Sequence, residues 1–196
     1  MTIQPVTPRQ LLKSALLLGA LLTVGGLLFT LIFRTRADLT TWYPLDSALM
    51  LGEIALGLGL GIGAAGLVWG LTERIKWLAD LRERLALFLP LDQIGWGYAL
   101  LFGLLAGIPE EIFFRGALQP TLGLLLTALF FGLLHAISPI YILFTILAGV
   151  LLGGLAQSRG DLWAATCAHA AYDACLLWQL GRWERQLARQ IQTIDR

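Results

Sequence analysis

Residues 107–116 read GIPEEIFFRG, two adjacent carboxylates and an arginine set in otherwise apolar sequence. Glu111 and Arg115 are spaced i,i+4. On a helix that spacing puts both side chains on one face, where they can form a charge-assisted pair. Glu110 is turned about 100° away from Glu111, which leaves it free to act as a base. The two histidines of the chain also lie in apolar stretches: His135 in FFGLLHA and His169 in CAHAAYDA. Asp173 follows His169 at i,i+4 and shares its face. An ionisable group at a bilayer centre costs about 2.5–3.5 kcal/mol on insertion scales, so such residues are functional candidates by default. Glu53 is a seventh ionisable residue in an apolar stretch. It stands alone and reads as a packing or interfacial residue.

Three kinds of chemistry can use this set. A carboxylate base beside histidines activates water for peptide hydrolysis, with or without zinc. The same groups in series relay protons in a transporter. Paired charges can also hold the helices of a non-catalytic immunity or scaffold protein in register. Nucleophilic catalysis fits less well. No serine sits in a G-x-S-x-G context, and Cys167 and Cys175 lie roughly 160° and 120° around the helix axis from His169. On one helix, eight residues apart, the two cysteines are also too distant for a disulfide. H-E-x-x-H is absent, so any metal site must be assembled from separate helices.

The elements that position these groups must be membrane helices. The chain of 196 residues is 57% hydrophobic and 14% charged, with a mean hydropathy of +0.74; soluble domains carry about a quarter charged residues. A net charge of +1 gives no sign of a nucleic-acid surface. The fold expected is all-α and polytopic, with about six transmembrane helices over 11–33, 47–70, 94–116, 121–136, 139–157 and 162–180. The fourth is short. The first is too long for a signal-peptide core and reads as an uncleaved helix. Leu78, Leu81, Leu85 and Phe88 recur at helical spacing within 71–89, which predicts an amphipathic interfacial helix, with a solvated linker helix as the alternative. The expected organisation is an N-terminal two-span region with that helix (1–93), a catalytic helical core (94–180) and a cytoplasmic tail (181–196).

Arg9, Lys13, Arg74, Lys76, Arg82, Arg84, Arg182, Arg185, Arg189 and Arg196 fall on one side of this scheme, against Arg34, Arg36 and Arg159 on the other. The positive-inside rule then places both termini in the cytoplasm of a plasma- or inner-membrane protein. Gly61–Gly66 matches GxGxxG but lies inside an apolar span. Its glycines, with the four-residue pairs Gly57/Gly61, Gly59/Gly63 and Gly66/Gly70, read as a helix-packing surface. Most of the tryptophans (Trp42, Trp77, Trp96, Trp163, Trp178 and Trp183) fall near predicted span ends, as an interfacial belt requires.

Glu110-Glu111-Ile-Phe-Phe-Arg115 resembles the EExxxR motif of the CPBP intramembrane proteases, which include the CAAX prenyl endopeptidases of Ras-converting type and the bacteriocin-processing enzymes. Phe131-Gly-Leu-Leu-His135 resembles the second motif, FxxxH, and His169-Ala-Ala-Tyr-Asp173 the third, HxxxN or HxxxD. All three stand in the family's order over about 94–180. The resemblance implies an endopeptidase acting on a membrane-associated peptide or protein at the bilayer. Glu110 would be the base on a water held with His135. His169 and residue 173 would stabilise the oxyanion, and Glu111 and Arg115 would brace the site. A metal such as zinc, where one is used, would be held by Glu110, His135 and His169. The prenyl endopeptidases carry asparagine at position 173. An ionised Asp173 would repel an oxyanion, whereas a protonated one would donate to it.

Overall fold

The computed structural model describes residues 7–34 and 36–194, and all its regular elements there are helical. They are α1 (Pro8–Phe33), the short α2 (Arg36–Thr40), α3 (Ser47–Thr72), α4 (Lys76–Phe88), α5 (Trp96–Glu110), α6 (Gln119–Leu122), α7 (Leu124–Leu134), α8 (Pro139–Arg159) and α9 (Trp163–Ile194). A π-helical segment, Glu111–Leu118, joins α5 to α6 without a break. Arg196 lies outside the described residues, as do the side chains of Arg36 and Phe88.

Four helices are long and apolar enough to cross a membrane: Pro8–Phe33, Ser47–Thr72, Trp96–Leu122 and Pro139–Arg159. Their outward surfaces are largely leucine and isoleucine, exposed as only a lipid solvent makes favourable. The chain is therefore an integral membrane protein. The other two expected spans take different forms. The stretch 121–136 is broken at Gly123, whose φ of +80° favours a residue without a Cβ. The helix that follows, α7, has 11 residues, or about 16 Å at 1.5 Å per residue. The stretch 162–180 falls, but for Leu162, within the 32-residue α9, whose polar residues keep it outside the four.

α9 is the central strut. α3 and α5 both pack along it, α7 packs on α8, and α1 packs on α5 and the π segment. Small residues set these distances. A Cβ on Gly57 or Gly61 would run into the carbonyls of Ala164 and Ala168 on α9. The pairs Gly59/Gly63 and Gly66/Gly70 do not share this role, since nothing lies within 4 Å of a Cβ built there. Only one stripe of a glycine-rich helix can face a given partner. A second stripe lies on α5, where Gly103 and Gly107 press on Ala170 and Ala174 of α9. That contact brings the end of α5, which carries the two glutamates, against the turn of α9 that carries His169 and Asp173.

α4 does not present its apolar stripe to the surroundings. Leu78 and Leu81 are buried, and with Leu85 they face Trp69, Leu177 and Leu180 across a small cavity. Trp42 also departs from the belt. It is buried against Leu162 and Ala165, and its carbonyl accepts from the Leu162 N–H at 2.9 Å. The start of α1, α4 and the distal part of α9 gather at one end of the bundle, where Leu11, Leu89 and Ile94 line one cavity and Arg185 Nη1 donates to the Ile94 carbonyl at 2.9 Å. At the other end, Arg159 donates from Nε to both oxygens of Glu53 at 2.9 Å. Glu53 is therefore not isolated. Its partner comes from a residue 106 positions later in the chain.

Candidate functional site

The end of α5 is widened by Pro109, which lies inside the helix. Proline has no N–H for the carbonyl of Leu105 and its ring crowds that carbonyl. The chain continues as π-helix from Glu111 to Leu118, a form found mostly as short bulges at functional positions. Glu111 and Arg115 keep their contact through it. Arg115 Nη1 donates to Glu111 Oε1 at 2.7 Å, with both side chains almost wholly buried. Arg115 Nη2 reaches the Gly149 carbonyl on α8 at 3.2 Å.

Glu111 Oε1 also lies 2.8 Å from Nδ1 of His169. A carboxylate paired with arginine accepts, so Nδ1 carries the proton and Nε2 faces away from Glu111. In that direction Nε2 is 3.9 Å from Glu110 Oε2 and 3.6 Å from Asp173 Oδ2. His135 closes the other side. It follows the last residue of α7, and its Nδ1 is 2.7 Å from the Phe131 carbonyl. A carbonyl can only accept, so in the neutral ring Nε2 holds the lone pair. That nitrogen stands 3.9 Å from the same Glu110 oxygen.

Two imidazole nitrogens thus converge on Glu110 Oε2, which is itself buried and without a direct hydrogen-bond partner. A separation of 3.9 Å is too long for a hydrogen bond and suits groups that share a small bridging molecule. Phe131 frames the arrangement. Its carbonyl orients His135, while its ring meets His135 at 4.6 Å, Phe114 edge-on at 5.0 Å and His169 at 6.0 Å between centroids. The Arg115 guanidinium lies 4.5 Å from the centre of the same ring.

The structure brings together all six residues singled out by sequence: Glu110, Glu111, Arg115, His135, His169 and Asp173. Sequence alone missed the link from Glu111 to His169, because the two are 58 residues apart. It also missed Tyr141 and Tyr172, which line a cavity of about 160 Å³ together with Asp173. Their aromatic character and position beside the motifs were the available signals. Both cysteines are free thiols, and Cys167 packs where α9 meets Gly57. Among the described residues no three of His, Cys, Asp and Glu are grouped closely enough to hold a metal ion. With His169 Nδ1 taken by Glu111, the candidate donors are Glu110 Oε2 and the two Nε2 atoms. Their 3.9 Å spacing is wider than ligands at about 2.0–2.2 Å from one tetrahedral zinc require.

An all-helical membrane bundle with a buried cluster of carboxylates and histidines is the architecture of an intramembrane hydrolase or proton carrier. The comparison with known families favours the first of these classes. Residues 92–175 match the family described as Type II CAAX prenyl endopeptidase Rce1-like. That segment contains all three motifs, and the match supports the resemblance to the CPBP intramembrane proteases. The family is one of proteases, which supports a CAAX-protease-like intramembrane endopeptidase with a peptide substrate. No curated protein and no solved structure matches the chain.

Proposed function

We propose that the protein hydrolyses peptide bonds of membrane-associated substrates with a water activated by Glu110. The observation that carries this reading is the convergence of His135 Nε2 and His169 Nε2 on Glu110 Oε2, each at 3.9 Å. Each ring's Nδ1 is occupied elsewhere. A water between Glu110 and His135 gives one hydrogen to the carboxylate and one to the lone pair of Nε2. Glu110 takes the proton as the water oxygen attacks the scissile carbonyl carbon, and later returns it to the leaving nitrogen.

The oxyanion forms on the side of His169 and Asp173. With Nδ1–H given to Glu111, a doubly protonated His169 ring offers Nε2–H to that oxygen, and a protonated Asp173 offers its O–H. Glu111 and Arg115 act through His169, holding its ring, and are positioning residues. The crossing count of six, with α7 and α9 added to the four apolar spans, and the placement of both termini in the cytoplasm belong to the same reading, supported by the distribution of arginine and lysine.

The rival is a proton-coupled transporter using the same relay. Purified protein in proteoliposomes separates the two. The proposal expects peptide cleavage and no proton flux beyond that of empty vesicles. Proton-coupled flux without cleavage would replace it.

A further inference from the structure

α7 and α8 form a hairpin, and His135 stands at its turn. The two helices pack on each other, with Gly132 of α7 set against Ile142 and Ile146 of α8. Their other faces point outward: Leu126, Leu129 and Leu133 of α7 and Leu143, Leu147 and Leu151 of α8 are exposed. The hairpin is thus held from one side. Glu110 and His169 belong instead to α5 and α9, which pack along each other. The spacing of 3.9 Å between His135 Nε2 and Glu110 Oε2 therefore depends on how the hairpin is seated.

Two side chains reach across to seat it. Arg115 Nη2 donates to the Gly149 carbonyl at 3.2 Å, and Gln119 Nε2 donates to the Gly153 carbonyl at 2.9 Å. The two acceptors are four residues apart, roughly 6 Å along α8. Other contacts of the hairpin are apolar, with Phe131 on Phe114 and Ala156 beside Leu162 and Ala165. Apolar contact is non-directional. A single hydrogen bond acts as a pivot, whereas two in a row set an angle. Gln119 is itself buried, and its Oε1 has no partner. That is a cost which a leucine in the same place would not carry.

We infer that Gln119 is a positioning residue for the proposed hydrolysis: its bond to Gly153 fixes the tilt of the α7–α8 hairpin and so the place of His135 beside Glu110. The inference rests on the endopeptidase reading above. The hairpin works as a lever. Gly153 lies near its base, and the turn that carries His135 is its tip. From Gly153 back to Pro139 is a rise of roughly 21 Å at 1.5 Å per residue. At that radius a tilt of about 3° moves the tip by about 1 Å, and a displacement of that size can cost roughly 10²-fold in rate. Arg115 serves Glu111 as well as Gly149, while Gln119 is spent on the hairpin alone.

The test uses the full chain in detergent with Gln119→Met, which keeps the length of the side chain and removes its donor. On a peptide cleaved by the wild type, the expected result is a kcat about 10- to 100-fold lower, with KM within about twofold. Gly153→Ala attacks the same bond from the other side, because its Cβ would crowd the Gln119 amide and Leu124. It should lower kcat in the same sense, and it carries the test where Gln119→Met does not fold. A kcat within about twofold of the wild type in folded Gln119→Met would overturn the assignment, even with a lowered unfolding temperature.

A second readout stands apart from turnover. The chain has 2 histidines, so protein labelled with ¹⁵N-histidine gives two sets of ring resonances, assigned with His135→Gln. In Gln119→Met the His135 resonances should shift or broaden. Those of His169, held by Glu111 on the α9 side, should stay in place. A general loosening of the bundle would move both sets, and a bond with no bearing on the site would move neither; each of these results contradicts the proposal. If the wild type cleaves no peptide and the His135 resonances alone still move, the hydrolytic reading fails and the positioning role of Gln119 stands.

Discussion

His169 Nδ1 lies 2.8 Å from the same Glu111 oxygen that Arg115 reaches at 2.7 Å. One carboxylate oxygen thus ties the π-helical segment to α9. This explains why two glutamates stand side by side. Glu111 is consumed by structure, and Glu110, a step around the helix, is left facing the two Nε2 atoms.

Removing either member of the buried pair is expected to unfold the site. Glu111→Gln and Arg115→Ala each leave an uncompensated buried group, which costs about 3–5 kcal/mol. Thermal unfolding in detergent should fall sharply for both, and purified yield should fall with it. A normal transition with lost activity would mean that Glu111 does more than hold His169.

Helix spacing gives a second expectation. A Cβ on Gly107 would come within 2.8 Å of the Ala170 nitrogen, so Gly107→Val should push α5 from α9 and cost about 1–3 kcal/mol or more by overpacking. Gly59→Ala and Gly63→Ala point into open space and should leave the unfolding temperature nearly unchanged. Equal destabilisation by all three would contradict the assignment of the packing face.

The sequence made the six polar residues and two local pairings legible, because i,i+4 spacing is a property of any helix. Glu111 with Arg115 and His169 with Asp173 follow from it. The partners of Glu53 and the second partner of Glu111 were not legible, since they depend on which helices lie side by side. The same holds for the glycines: four-residue spacing announces a close contact but does not say which stripe meets a neighbour. The bundle was readable as helical from composition. The half-length α7 was readable only as a short span, and the π segment after Pro109 had no signal beyond the proline itself.

Thiol chemistry is not expected. Cys167 lies at the α3–α9 contact, where cysteine acts as a small hydrophobe. A Cys167→Ala, Cys175→Ala double variant should keep activity within about threefold, after a stability loss of the order expected for small core truncations. Abolished turnover in a folded double variant would reopen a cysteine mechanism.

Asp173 has two possible duties, and Asp173→Asn separates them. If a protonated Asp173 donates to the oxyanion, asparagine replaces the donor with one that does not titrate. Activity should then persist and extend to higher pH, where the acid would have lost its proton. If Asp173 instead orients His169 on a metal, the variant should lose roughly 10–100-fold in metal affinity. The pH–rate profiles of both proteins, with and without chelator, decide between them. An inactive variant rescued by added zinc would contradict the oxyanion role.

The most direct test of the account is the rate of peptide cleavage by Glu110→Gln beside the wild type, both purified and reconstituted in the same lipid. Glutamine keeps the shape of the side chain and removes the base. The account predicts a fall in kcat of about 10²–10⁴ or more, with the elution profile and thermal transition of the wild type retained. Cleavage at the wild-type rate in that variant would show that Glu110 is not the base.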